Sequence, residues 1–378
     1  MAFPMSRRRF AGTVGAALGA ALLPSPFGAS RALGAPARGD LSDRILLDAN
    51  ENPYGPSQAS LEALARAGRA AGRYPGALEE ELKAKIAAHH GVSEDHVVLG
   101  CGSSDILRMA GTAWLAPGRT LVAAEPTFEA VLSYAGVTHS ETIRVPLTSE
   151  HRHDLDRMAA ACNERTGLVY VCNPNNPTGT IVNGDAIEAF LGKVPSSATV
   201  LIDEAYHHFV ENPGYRTAMA MIEKHPNVVV ARTFSKIYGM AGLRVGYGVA
   251  SPATAATLRG HASWDNVNLA GLSIAIASLK DPDLVPKNRR LLNDTRRWLC
   301  AALDRDGRRY IPSETNFLMI HVGSDVAPVI RAFKDQRIQI GRRFPSLSDW
   351  LRVSIGTREE TAAFVTALQR IVPKRAAA

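Results

Sequence analysis

The chain reads as an α/β protein built on a mostly parallel sheet, with a smaller α+β lobe at its carboxyl end. Three observations predict this. Short apolar runs rich in β-branched residues recur at 120–124, 168–172, 199–202 and 228–231, as suits strands buried on both faces. Helical stretches separate them, which is the alternation of βαβ units. After Pro282 the pattern changes to one long amphipathic helix, two strands and a closing helix. A length of 378 residues, 46% of them hydrophobic, suits two lobes better than one small core.

The elements follow in order. Residues 1–37 read as an address. Ser6-Arg7-Arg8-Arg9-Phe10 holds a twin arginine, Ala11 to Leu23 is mildly apolar and ends at Pro24, and Ala35-Pro36-Ala37 offers small residues for cleavage after Ala37. The pattern resembles a bacterial twin-arginine export signal and implies the matching export machinery and a periplasmic or exported destination. The apolar stretch is too short to span a membrane. Leu46 to Pro56 reads as a loop-like arm and Ser60 to Gly72 as a helix capped by Ser60. Leu78 to His89 and Ser104 to Leu115 have helical periodicity, with a short strand at His96 to Leu99 between them. Asp185 to Leu191 and Tyr215 to Lys224 supply helical material between later strands. In the carboxy-terminal lobe, Lys287 to Leu303 is the long helix, Phe317 to Val322 and Leu351 to Ile355 are strands, and Glu359 to Ile371 closes the chain. The amino-terminal arm is expected to complete that lobe.

Composition excludes some roles. The formal net charge is +7, from 43 basic and 36 acidic side chains. Residues 1–37 hold four arginines and no acid, so the remainder carries 39 against 36, or +3. That near balance gives no support to a nucleic-acid partner. Cys101, Cys162, Cys172 and Cys300 form no C-x-x-C pair, so no metal or redox site is indicated. They read as four buried small residues.

Four loop motifs carry chemistry. Gly100-Cys101-Gly102-Ser103-Ser104-Asp105 follows a strand and opens a helix, where backbone N–H groups make an anion cradle. It lacks the spacing of a Walker loop or a dinucleotide fingerprint, and an ordinary glycine-rich turn would look the same. Asn173-Pro174-Asn175-Asn176-Pro177-Thr178-Gly179 follows another strand. It reads as a turn or as a place where Asn176 offers its amide to a ligand at a strand's carboxyl end. Asp203 ends a buried run, with Tyr206 three residues on. An acid there is costly unless paired, and it could serve a metal, a ribose, a protonated heterocyclic nitrogen or a helix cap. Thr233-Phe234-Ser235-Lys236 leads through two glycines to Arg244. Burial or a nearby positive charge would lower the Lys236 pKa and free its amine for Schiff-base chemistry. His207 and His208 read as structural or surface residues. The order of the four motifs is more telling than any one of them. Pyridoxal 5'-phosphate has an aldehyde for a lysine and a ring nitrogen for an acid. It also has a hydroxyl for Asn and Tyr, and a phosphate for N–H groups, hydroxyls and an arginine.

At this point the chain resembles the fold-type-I pyridoxal-phosphate aminotransferases, and among them the histidinol-phosphate aminotransferase branch. The matching stretches are Asn50 to Gly55, Arg73-Tyr74-Pro75, Gly102-Ser103, Cys172 to Gly179, Asp203 to Tyr206, Thr233 to Gly246, Asn316-Phe317 and Leu351 to Thr357. The resemblance spans residues 45–372. It implies a large domain at 73–282 with a mostly parallel seven-stranded sheet and a small domain at 283–378, which the arm and helix at 38–72 join. It also implies roles. Lys236 would hold the cofactor and move the proton, Asp203 would keep the ring nitrogen protonated, and Asn176 and Tyr206 would bind the ring hydroxyl. Phe128 would stack on the ring, and Ser103, Ser104, Thr233, Ser235 and Arg244 would hold the phosphate. Tyr74 would reach the phosphate of a neighbouring subunit, making the active unit a homodimer. Asn52, Arg342 and Arg352 would bind substrate, with Arg343 competing for the place of Arg342. The implied reaction moves an amino group from a small-molecule donor to a 2-oxo acid acceptor. An aromatic amino-acid aminotransferase, a related decarboxylase or lyase, and a non-catalytic binding protein are the other readings. Two departures stand out. The cradle reads Gly-Ser-Ser-Asp where the branch usually has Gly-Ser-Asp-Glu, and Val131 stands where a second aromatic often lines the pocket.

Overall fold

Twelve strands lie among the described residues, 44–373 of this computed structural model. They are β1 (Ile45–Leu47), β2 (Val97–Gly100), β3 (Thr120–Glu125), β4 (Glu141–Pro146), β5 (Thr166–Cys172), β6 (Thr199–Asp203), β7 (Val228–Thr233), β8 (Gly246–Ala250), β9 (Tyr310–Ile311), β10 (Phe317–His321), β11 (Ile338–Ile340) and β12 (Trp350–Ser354). Seven form one sheet in the order β2-β8-β7-β6-β5-β3-β4, in which β8 alone runs antiparallel to its neighbours. A smaller antiparallel sheet has the order β12-β10-β9, and β1 pairs in parallel with β11. The arm is thus tied to the carboxy-terminal part, as expected. The twin arginine and the cleavage site lie outside the described residues.

The large sheet is buried on both faces because its central strands are apolar at most positions. Leu121, Ala123, Leu168, Tyr170, Leu201 and Val229 pack to one side with Ile106, Leu107 and Met109 of the helix Ser103–Trp114. Val122, Val169, Val171, Val200, Ile202 and Val230 pack to the other, with Ile187 and Phe190 of the helix Gly184–Leu191. The split follows the two-residue period of a strand. Each such side chain contributes roughly 1.5–3 kcal/mol on burial.

Several expectations are corrected. The sequence reading lacked β4 and β8. The first is an edge strand of mixed polarity whose side chains are mostly exposed, so it has no apolar run. The second contains Gly246 and Gly248, and glycine weakens a strand pattern unless another backbone comes close. A Cβ at Gly246 would lie 2.2 Å from the Ser103 nitrogen, so its absence lets the cradle helix start against the sheet. Residues 215–224 hold only a 3-10 turn, Ala218–Met221. The first helix is Gln58–Ala67 and its cap is Ser57, not Ser60. Ser60 is buried and shares a hydrogen bond with Ser278 at 2.8 Å. Of the cysteines only Cys172 is buried, and all four are free. His207 and His208 are half-buried, their rings tilted against each other, with His208 edge-on to Tyr238.

The topology positions the site. In register, Cys172 of β5 pairs with Asp203 of β6, and Asp203 pairs with Ala231 of β7. The loops that follow these three parallel strands therefore emerge together at their carboxyl ends, where open α/β sheets bind ligands.

Candidate active site

A cavity of about 440 Å³ opens there, and Lys236, Asp203, Asn176, Tyr206, Phe128, Ser103, Ser104, Thr233, Ser235 and Arg244 all line it. Lys236 is partly exposed, but to the cavity. Its Nζ donates to the Ala49 carbonyl at 3.1 Å and lies 5.6 Å from the centre of the Tyr206 ring. Burial of the amine, followed by the Arg352 guanidinium, lowers its pKa to about 8. A neutral amine is thereby accessible near neutral pH, as a carbonyl-capturing lysine needs.

Asp203 is buried. Its Oδ1 accepts the Ala205 N–H at 3.0 Å and its Oδ2 accepts the Tyr170 hydroxyl at 3.0 Å. Among the described residues no arginine or lysine is hydrogen-bonded to it. Desolvation raises its pKa to about 6, opposed by the Ala205 and Tyr170 donors. Asn50 donates from Nδ2 to the Tyr206 hydroxyl at 3.1 Å, and the Tyr206 ring stands edge-on to Phe317. Burial pushes the Tyr206 phenol pKa up.

The cradle is a positive pocket. The helix Ser103–Trp114 starts after Gly102, whose φ is +80°. A Cβ there would lie 2.3 Å from Arg244 Nη2, so the glycine makes room for the guanidinium. Arg244 donates to the Ser235 hydroxyl at 3.3 Å and to the Ala241 carbonyl at 2.9 Å. N–H groups at a helix start, hydroxyls and a guanidinium suit a phosphate dianion.

Across the cavity, Arg352 donates to Asn176 Oδ1 at 2.8 Å and to the Asp48 carbonyl at 2.7 Å. Its Nε is buried without a partner. The donor set fits pyridoxal phosphate point by point. A buried carboxylate without a bonded cation suits a protonated ring nitrogen, the low-pKa amine suits an aldehyde, and the cradle suits the phosphate.

The comparisons agree with that chemistry. The model of the family "Aminotransferase class I and II" matches residues 42–368. A histidinol-phosphate aminotransferase of Moorella thermoacetica is 40% identical over 88% of this chain and 86% of its own. Histidinol-phosphate aminotransferase 2 of Ralstonia nicotianae is 39% identical, over 88% and 90%. The crystal structure of the Sinorhizobium meliloti histidinol-phosphate aminotransferase in complex with pyridoxal-5'-phosphate superposes with a TM-score of 0.82. It is 26% identical and covers 87% of this chain and 90% of that one. The chain belongs to the class I and II aminotransferases. It is a pyridoxal-phosphate-dependent transaminase of fold type I, with a mostly parallel seven-stranded sheet and a smaller carboxy-terminal domain.

The remaining expected site residues of this aminotransferase are placed unevenly. Arg342 lines the cavity, stacks 4.3 Å above the Phe344 ring and pairs with Glu129. Arg343 turns instead to Asp325 at 2.7 Å and does not line the cavity. Asn52 does not line the cavity. Its Nδ2 donates to the Ile237 carbonyl at 2.9 Å and its Oδ1 accepts the Tyr54 N–H at 3.1 Å, so it braces the lysine loop. Asn50 is the arm asparagine at the cavity wall. Tyr74 lies outside the cavity and is 86% exposed. Val131 does not line the cavity and is fully buried in the core. The sequence reading missed Asn50, Glu51 and Phe344. Asn50 was within reach, since it opens a motif already noted. Phe344 stands in no motif.

Proposed function

We propose that this aminotransferase is of the histidinol-phosphate type, moving an amino group between an amino-alcohol phosphate and a 2-oxo acid. The observation that carries this reading is the pair of guanidiniums, Arg352 and Arg342, bordering one cavity with Lys236. Substrates with an anionic group at one end are what such a wall selects. The names of the relatives point the same way.

When bound, pyridoxal phosphate supplies an aldehyde that exchanges amines and a ring that withdraws electrons. Lys236 would hold it through Nζ and move the proton during amine exchange. Asp203 would keep the ring nitrogen protonated. Asn176 and Tyr206 would bind the ring hydroxyl, and Phe128 would lie against the ring. Ser103, Ser104, Thr233, Ser235 and Arg244 would neutralise the phosphate. Arg352, with its Nε free, takes the substrate anion bidentately, and Arg342 exchanges Glu129 for it. Exposed Tyr74 reaches the phosphate site of a second copy, so the active unit is a homodimer. The leader at 1–37 directs the folded, cofactor-loaded chain to the twin-arginine export machinery and the periplasm.

A donor screen tests the reaction. Histidinol phosphate is expected to bleach the absorbance of the enzyme-bound cofactor, and 2-oxoglutarate to restore it. A response to aromatic amino acids alone would move the substrate class, and carbon dioxide release without oxo-acid dependence would replace transamination by decarboxylation. Amino-terminal sequencing of the mature protein tests the leader.

A further inference from the structure

Tyr170 sits in the middle of β5, fully buried, on a strand whose neighbours are all core residues. It faces the same side of the sheet as Cys172, two residues on. Its hydroxyl reaches across to β6 and donates to Asp203 Oδ2 at 3.0 Å. The direction of this bond is fixed. Burial pushes the Tyr170 phenol pKa well up, so it keeps its proton, and an ionised carboxylate has none to give. The only other hydrogen bond to the Asp203 carboxylate among the described residues is the Ala205 N–H, on Oδ1. Each oxygen thus has one donor, and together the two fix the carboxylate's plane.

We propose that Tyr170 is a positioning residue that orients Asp203 and holds the proton of the Asp203–cofactor pair on the cofactor's ring nitrogen. The inference rests on the Asp203 role stated above and deepens it. In a buried pair the proton is shared between two bases, and the weaker base gives it up. A donor on Oδ2 stabilises the ionised carboxylate and weakens it as a base. Without that donor Asp203 becomes a stronger base, and the proton moves from the ring nitrogen to a carboxylate oxygen. The pair keeps the same total of protons, but the ring loses its positive charge and with it its electron-withdrawing power. The other ionisable groups facing Asp203 leave this balance to Tyr170. Burial keeps Cys172 and Tyr206 protonated. Glu204 is paired with Arg232 at 2.7 Å, and Lys236 is engaged by the cofactor.

The test uses holoenzyme carrying pyridoxal phosphate labelled with nitrogen-15 in the ring, without amino donor. In the wild type the nitrogen-15 shift should report a protonated ring nitrogen across neutral pH. In Tyr170→Phe, which keeps the ring volume and removes one oxygen, the nitrogen-15 shift at neutral pH should move towards that of an unprotonated ring nitrogen, because the proton passes to the Asp203 carboxylate without leaving the pair. The kcat should drop about tenfold with KM little changed. Replacing Tyr170 site-specifically by 3-fluorotyrosine strengthens the donor and should move the nitrogen-15 shift further towards the protonated value, so the proposal remains testable if Tyr170→Phe folds poorly. A nitrogen-15 profile unmoved by the replacement, or moved in the opposite direction, overturns the proposal. So does an unprotonated ring nitrogen in the wild type. None of these readouts involves substrate, so they stand apart from the success or failure of the substrate assignment.

Discussion

At the scale of single residues, the chemistry depends on groups displaced from their ordinary protonation. Lys236 is lowered to about 8, against about 10.4 for a surface lysine. The neutral amine is the reactive form, and its fraction grows tenfold per pH unit below the pKa. Capture of pyridoxal phosphate by the apoenzyme should therefore accelerate from pH 6, reach half its maximum near pH 8 and level off above about pH 9. Stopped-flow absorbance of the lysine-bound cofactor checks this, and a rate still climbing at pH 10 would contradict it. Lys236→Ala should abolish both covalent retention and turnover. Much of this was legible in the sequence, because Asn176, Asp203 and Lys236 each stand in a loop motif at a strand end. Tyr170 and Arg232 were not. Each is a polar residue inside an apolar strand, and periodicity reads such a position as core. Their partners, Asp203 and Glu204, come from the neighbouring strand, and no local spacing reports that pairing.

At the scale of elements, two contacts hold the lysine loop and the strand end beside it. Glu204 accepts two hydrogen bonds from Arg232, at 3.0 and 2.7 Å, and also binds Thr217 and the Ala218 N–H at 2.7 Å each. Glu204→Gln would leave the buried Arg232 without a counter-charge. A loss of about 3–5 kcal/mol in a denaturant titration is expected, whereas a midpoint unchanged from wild type would show the pair to be dispensable. Gly239, three residues after the lysine, has φ +70°, and a Cβ on it would fall 2.3 Å from the carbonyl carbon of Gly55. Gly239→Ala should push the arm off the lysine loop and weaken cofactor retention during dialysis, while distant Gly118→Ala, with nothing within 4 Å, should cost only the backbone strain shared by positive-φ sites. The helices and buried strands were readable because each carries one apolar face or run. The edge strand β4 and the glycine strand β8 escaped because neither does.

At the scale of the whole molecule, Tyr74 and Trp264 are 86% and 96% exposed. Aromatic residues so placed are favoured at interfaces, in keeping with the proposed homodimer. Tyr74→Ala should weaken cofactor binding by about tenfold or more through the loss of one phosphate hydrogen bond. Equilibrium dialysis would detect that, and mixing Tyr74→Ala with Lys236→Ala subunits should restore one competent site per mixed dimer. Sedimentation as a monomer with undiminished turnover would refute the shared-site arrangement.

The pairing of β1 with β11 joins residues 45–47 to residues 338–340. The first described strand is thus clamped by one made about three hundred residues later. During synthesis the arm has no seat until about nine-tenths of the polypeptide has left the ribosome, and the cavity wall at Ala49 and Asn50 stays open until then. A seated arm therefore reports that the chain has been made at least as far as β11, so closure of the cavity wall is coupled to synthesis of the carboxy-terminal part.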